Sequence, residues 1–132
     1  MTHGRGVYEY ASGDRYEGEF KYNNKHGKGV YEWKSAASYN GQWEDDHQHG
    51  HGVQEEASGE RYEGQWEYGA RHGMGIHELA GGDRYNGQWE DGYQHGHGVY
   101  EYANGERYEG QFEYDKFHGS GVYEFPDGER HE

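Results

Sequence analysis

Short runs in which charged or polar residues alternate with aromatic, valine or glycine residues fill the chain from end to end. The run Arg15–Phe20 alternates charge with Tyr16, Gly18 and Phe20, and Gly27–Trp33 alternates in the same way around Val30. Period-2 alternation over six or seven residues, bounded by Gly, Asn, Asp and Ser, predicts β-strands. Turn signals separate them, at Ser12-Gly13-Asp14, Ser58-Gly59-Glu60, Gly81-Gly82-Asp83, Asn104-Gly105-Glu106 and Asp127-Gly128-Glu129. The segment Lys34–Ser38 has no glycine and is expected to be the least regular turn. No window has helical spacing. The pattern therefore predicts an all-β, elongated single-layer antiparallel meander of about eleven strands.

The strands repeat. Shifted by 23 residues, the stretch Tyr85–Val99 finds itself again without insertion or deletion. Tyr16, Tyr39, Tyr62, Tyr85 and Tyr108 form one column, and Phe20, Trp43, Trp66, Trp89 and Phe112 form another. Glycine holds two columns of its own, Gly18, Gly41, Gly64, Gly87 and Gly110, then Gly29, Gly52, Gly75, Gly98 and Gly121. A fixed period of this length marks a stacked repeat architecture. The chain divides into a half repeat, 3–15, and repeats 16–38, 39–61, 62–84, 85–107 and 108–130 of a single array.

Alternation puts Tyr16, Gly18 and Phe20 on one face, with Gly27, Gly29, Tyr31 and Trp33. The expected register sets Phe20 opposite Gly29, Gly18 opposite Tyr31 and Tyr16 opposite Trp33. Each strand glycine then lies between two aromatic rings that cover it, which accounts for these glycines as structural positions. The other face carries Val7, Val30, Val53, Ile76, Val99 and Val122 between glutamates and is expected to be wet.

Tyr-x-Gly-x-Trp/Phe, a short turn, then His-Gly-x-Gly-Val-Tyr, every 23 residues over the whole chain, resembles the MORN repeat. The resemblance implies a twisted single-layer sheet of stacked hairpins with an aromatic-lined groove. It also implies a non-enzymatic scaffold or docking role, with cytoplasmic, cytoskeletal or axonemal placement. On this reading the groove takes a peptide or helical segment of another protein. Its contacts would be Tyr16, Phe20, Tyr31, Trp33, Tyr39, Trp43, Tyr62, Trp66, Tyr85, Trp89, Tyr100, Tyr102, Tyr108 and Phe112. A single-layer sheet leaves part of such a face uncovered, and Tyr and Trp are enriched at binding hot spots. The absence of insertions also fits a structural or designed, idealised repeat with no ligand.

Composition narrows the partner. Only 30% of the chain is apolar, but 17% is aromatic, which sets it apart from disordered chains. A net charge of −14 argues against nucleic acid and against the phosphoinositide attachment proposed for repeats of this type. There is no cysteine, no apolar run of membrane-spanning length and no leader-like N-terminus, so an intracellular soluble protein without cofactor is expected. His49 with His51, and His95 with His97, are weak metal candidates; the two pairs are about 19 Å apart at ~4.8 Å per strand, too far to share an ion. A histidine repeated at one position of every repeat is expected to be architectural, closing the turn. The Tyr31 and Trp33 columns lose their aromatics in the middle of the array, at Gln54, Glu56 and His77. The strand around Val7 is expected to form an open edge through which a homodimer pairs, whereas Pro126, Asp127, Glu129 and Glu132 guard the other end.

Overall fold

A computed structural model describes residues 4–126 and, for the backbone alone, 130–131. The expected all-β meander is present. Eleven strands run β1 Gly4–Glu9, β2 Arg15–Lys21, β3 Asn24–Glu32, β4 Ser38–Glu44, β5 His47–Glu55, β6 Arg61–Glu67, β7 Ala70–Glu78, β8 Arg84–Glu90, β9 Tyr93–Glu101, β10 Arg107–Glu113 and β11 Lys116–Glu124. A two-residue β12, Arg130–His131, follows. All lie in one sheet in sequence order, each antiparallel to the next. Among the described residues the far edge is therefore β12 and not β11; Asp127, Glu129 and Glu132, invoked as its guards, lie outside the described residues.

Two kinds of turn alternate. The two-residue turns Tyr22-Asn23, Asp45-Asp46, Tyr68-Gly69, Asp91-Gly92 and Tyr114-Asp115 have positive φ at both positions, the geometry that matches the twist of paired strands. In the longer turns the Tyr10 N–H donates to Asp14 O at 2.9 Å and Gly13 N–H to Tyr10 O at 3.0 Å, with Gly13 at φ 99°. Contrary to expectation, the turn over Lys34–Ser38 is as regular as the rest. Trp33 N–H donates to Ala37 O at 2.9 Å and Ala36 N–H to Trp33 O at 3.0 Å. Ala36 occupies the glycine place at φ 77°, a left-handed backbone that costs an L-residue about 1–2 kcal/mol. Ala36→Gly should therefore stabilise the protein by about 0.5–1 kcal/mol net of glycine's extra chain entropy. Urea unfolding would show it, and an unmoved or lowered midpoint would mean that Ala36 is unstrained.

The register differs from the expected one by two residues. Gly18 pairs with Gly29, and Tyr16 with Tyr31; on the other side of β3, Gly29 pairs with Gly41 and Tyr31 with Tyr39. A line of glycines thus crosses the sheet from Gly6 to Gly121, each beside glycine. Each ring covers a glycine of its own strand and, diagonally, the glycine paired with it: the Tyr16 side chain folds over Gly18 and Gly29, and Tyr62 over Gly64 and Gly75. Within the hairpin of β2 and β3 this pairing is set by a bulge, whereas β3 meets β4 in continuous register. Between Gly18 and Phe20 there is one residue on β2, but Gly29 and Lys25 opposite them are separated by three, with Gly27 at φ 63°. The same bulge recurs at Gly50, Gly73 and Gly96, all at positive φ. A side-chain oxygen satisfies the displaced backbone: Lys28 N–H donates to Glu19 Oε2 at 2.8 Å, and His97 N–H to Gln88 Oε1 at 2.9 Å.

The core is one ring deep. Tyr16, Tyr39, Tyr62 and Tyr85 are 0% exposed, which removes them from any surface a partner could touch. Each hydroxyl donates to a backbone carbonyl three residues on, as Tyr62 does to Gln65 O at 2.9 Å. The indoles of Trp43, Trp66 and Trp89 donate to Gly29, Gly52 and Gly75 carbonyls at 3.0–3.2 Å. Tyrosine and tryptophan meet edge to face along the sheet, for example Tyr39 with Trp66 at 5.4 Å and Tyr62 with Trp89 at 5.3 Å between centroids. This geometry suits the ring quadrupoles and adds to the area buried.

Candidate functional site

Accessible rings occur at both ends of the strands: Tyr22, Tyr68, Tyr93, Tyr114 and Phe117 at the two-residue hairpins, and two clusters at the end of the longer turns. Tyr8, Tyr10, Tyr31 and Trp33 form one cluster, in contact at 4.6, 5.7 and 4.8 Å between successive centroids. Tyr100, Tyr102, Tyr123 and Phe125 form a second, at 4.7, 6.0 and 5.1 Å. Between them the same columns carry Gln54, Glu56, His77 and Leu79, so the aromatic face has a polar middle.

The turn acids orient the walls. Tyr31 Oη donates to Asp14 Oδ2 at 2.8 Å while Asp14 Oδ1 accepts the Lys34 N–H at 2.9 Å. Tyr100 and Asp83 repeat the arrangement at 2.8 Å, with Ala103 N–H on Asp83 at 2.9 Å. In the middle His77 Nε2 meets Glu60 Oε1 at 2.5 Å. Ala37 stands where these acids would be, and Gln54, left without one, donates instead to Glu56 at 2.7 Å. The Lys34 N–H and then the Tyr31 hydroxyl hold the Asp14 carboxyl below its usual range. Burial, reinforced by the carboxylate, pushes Tyr31 and Tyr100 up. Burial also pushes Tyr16 up to about 12 and lowers His77, against the pull of Glu60. These wall phenols and His77 are thus neutral at pH 7, and they hold their rings by hydrogen bonds.

Two cations lie on the aromatic floor. Lys25 Nζ is 5.4 Å from the Trp43 ring and 5.5 Å from that of Tyr31, and the Arg71 guanidinium is 4.7 Å from Tyr62 and 5.2 Å from Trp89. A cleft of about 260 Å³ opens beside Lys25, lined by Tyr31, Trp33, Trp43 and Gln48. A second, of about 270 Å³, opens beside Arg71, lined by His77, Trp89, Gln94 and Tyr100.

Of the ring positions expected to contact a partner, Tyr31, Trp33, Tyr100 and Tyr102 stand on the accessible walls, and Phe20 is half-buried. Trp43, Trp66, Trp89, Tyr108 and Phe112 join the four core tyrosines among the buried residues. Tyr8, Tyr10, Tyr123 and Phe125 belong to the walls, and Lys25, Arg71 and His77 to the floor and middle, although sequence reasoning did not assign them there. The 23-residue period held the signal, because Lys25, Gln48, Arg71, Gln94 and Phe117 form a column.

The histidine pairs do not converge. His49 Nε2 faces Glu44 at 3.2 Å and His51 Nε2 faces Glu63 at 3.6 Å; His95 and His97 face Glu90 and Glu109. Each imidazole has its own carboxylate, and among the described residues no cluster of three His, Asp or Glu is placed to hold a metal ion. His72 and His118 pair in the same way with Glu67 and Glu113, at 3.1 and 3.0 Å, so four of the five histidines of the column tie their bulge to the neighbouring strand; at His26 the corresponding place holds Lys21.

A family model described as "MORN repeat" matches residues 1–15, 16–36, 39–61, 62–84, 85–107 and 108–130. No curated protein matches the chain. Among solved structures, a similar one is described as the SAS-4 (dCPAP) TCP domain in complex with a proline rich motif of Ana2 (dSTIL) of Drosophila melanogaster. Its TM-score is 0.57 at 13% identity, over 93% of this chain and 67% of that one. At that identity the likeness is one of fold alone.

Proposed function

The chain belongs to the MORN-repeat family, and we propose that it is a non-enzymatic interaction module that holds a peptide or helical segment of another protein across its aromatic face. The observation that carries this reading is the pair of half-exposed aromatic clusters, Tyr8 to Trp33 and Tyr100 to Phe125, on the uncovered side of a single-layer sheet. Such surface contributes most when a partner removes it from water. Repeats of this family are generally interaction modules, and the fold-related domain is described with a bound proline-rich motif, which supports a peptide as the ligand class. The excess of negative charge opposes an anionic membrane as partner.

Selection from a displayed library of random twelve-residue peptides would test this. Enriched peptides should bind the protein and lose about tenfold in affinity, measured by calorimetry, to Trp33→Ser or Tyr102→Ser, as expected for an aromatic hot spot. A library with no enriched peptide, or peptides indifferent to both substitutions, would refute the assignment.

A further inference from the structure

The second residue of each nine-residue strand from β3 to β11 is Lys25, Gln48, Arg71, Gln94 or Phe117. The two cations of this column are treated differently. Lys25 has its counter-ion: Asp46 Oδ1 lies 3.4 Å from Nζ and also accepts the Lys25 N–H at 2.6 Å. Asp46 is the second residue of the next two-residue turn. At Arg71 the equivalent place holds Gly92, whose N–H donates to Arg71 O at 2.9 Å, so the backbone is in position but no carboxylate is.

Among the described residues the Arg71 guanidinium makes no ion pair and no side-chain hydrogen bond. The carboxylates around it are engaged elsewhere: Glu60 with His77, Glu56 with Gln54, and Asp115 Oδ1 with the Gln94 N–H at 2.7 Å. They attract Arg71 only at longer range, and burial against Tyr62 and Trp89 lowers its affinity for its proton. A guanidinium has five donors in a planar fork that matches a carboxylate, and removing it from water without a partner is costly. Here the fork lines a cleft that opens between the two aromatic clusters.

We propose that Arg71 receives an Asp or Glu side chain of the segment bound in the groove. This rests on the groove reading above and adds the chemistry that selects the partner: an acidic residue flanked on both sides by groups that pack on aromatic rings. A side chain fits better than a chain terminus, because Arg71 on β7 lies four strands from the first wall at Tyr31 and two to four from the second, at Tyr100 and Tyr123. At ~4.8 Å per strand a peptide that ended at Arg71 would leave one wall, with rings up to about 19 Å away, uncovered.

Peptides selected on the wild-type protein are expected to carry Asp or Glu at one aligned position. Two substitutions should each weaken them about tenfold or more, the loss typical of a charge-assisted hydrogen bond. Arg71→Gln removes the cation and places in β7 the residue that β5 and β9 already hold. Gly92→Asp keeps Arg71 but supplies the internal counter-ion; its φ of 86° is close to the 70° and 66° that Asp46 and Asp115 adopt. Amidating the acidic side chain of the peptide should cause the same loss, with no further loss on Arg71→Gln. Peptides without an aligned acid, or acidic peptides indifferent to both substitutions, would overturn the assignment while leaving the groove in place. Binding abolished by amidating only the peptide C-terminus would overturn it as well. Peptides insensitive to Trp33→Ser and Tyr102→Ser would instead remove the groove itself.

Discussion

Gly64→Ala is expected to destabilise the protein by about 3–5 kcal/mol, the upper end for a single methyl group forced into a packed site. The reason is space, since the φ of Gly64 is one that any residue adopts. A Cβ there would fall on the Cα of Gly75 and lie 2.6 Å from Met74 O, both of them backbone atoms of the paired strand. No rotamer change relieves that contact, so the strands must part. Gly59→Ala is the control: its φ is 97° but nothing lies within 4 Å of the added carbon, and only the left-handed strain of about 1–2 kcal/mol is expected. Urea denaturation followed by tryptophan fluorescence would separate them. Equal losses at the two sites would refute the close pairing of glycines.

Gly75 fails in a different way, and a double-mutant cycle should expose it. A Cβ on Gly75 meets the Tyr62 side chain: the hydroxyl, Cζ and Cε2, the last at 2.5 Å. Tyr62→Ala alone should cost about 3–5 kcal/mol, because it empties the buried place of a ring that is 0% exposed. With that ring gone, the space that Gly75→Ala needs is free. The two substitutions should therefore be less than additive, with a coupling of about 2 kcal/mol or more. Gly64→Ala, blocked by backbone, should show much less coupling to Tyr62→Ala. Strict additivity of Tyr62→Ala with Gly75→Ala would show that the ring does not lie over the glycine.

The contrast also explains what could be read in the sequence. Strand number, strand faces, turn positions and family were all legible, because alternation and the 23-residue period are properties of the chain itself. Register was not. A slip of two residues keeps every side chain on its face, so the alternation that identifies Gly18 and Tyr31 as co-facial is blind to which of them are opposite. The decision lies in the bulge at Gly27, whose positive φ adds two residues to β3 relative to β2. One sign of it was available, in that glycine follows histidine in every repeat where strand geometry alone does not require it. The candidate site was legible in part for the same reason. Aromatic positions stood out, but whether a ring lies under the surface, like Tyr39, or on it, like Tyr31, depends on the register. Arg71 was hidden by its ordinary surroundings in sequence and acquires meaning only beside Gly92.

Each strand is bonded only to the strands next to it in sequence. Tension applied to the two ends of the chain therefore pulls across the strands and loads their hydrogen bonds one pair at a time. The sheet should peel from an edge at low force, repeat by repeat. Each 23-residue repeat would release about 8 nm of extended chain, less the roughly 1 nm that its two strands occupied in the sheet. In mechanical terms this protein is a ratcheted tape whose length under load is set by how many hairpins remain attached.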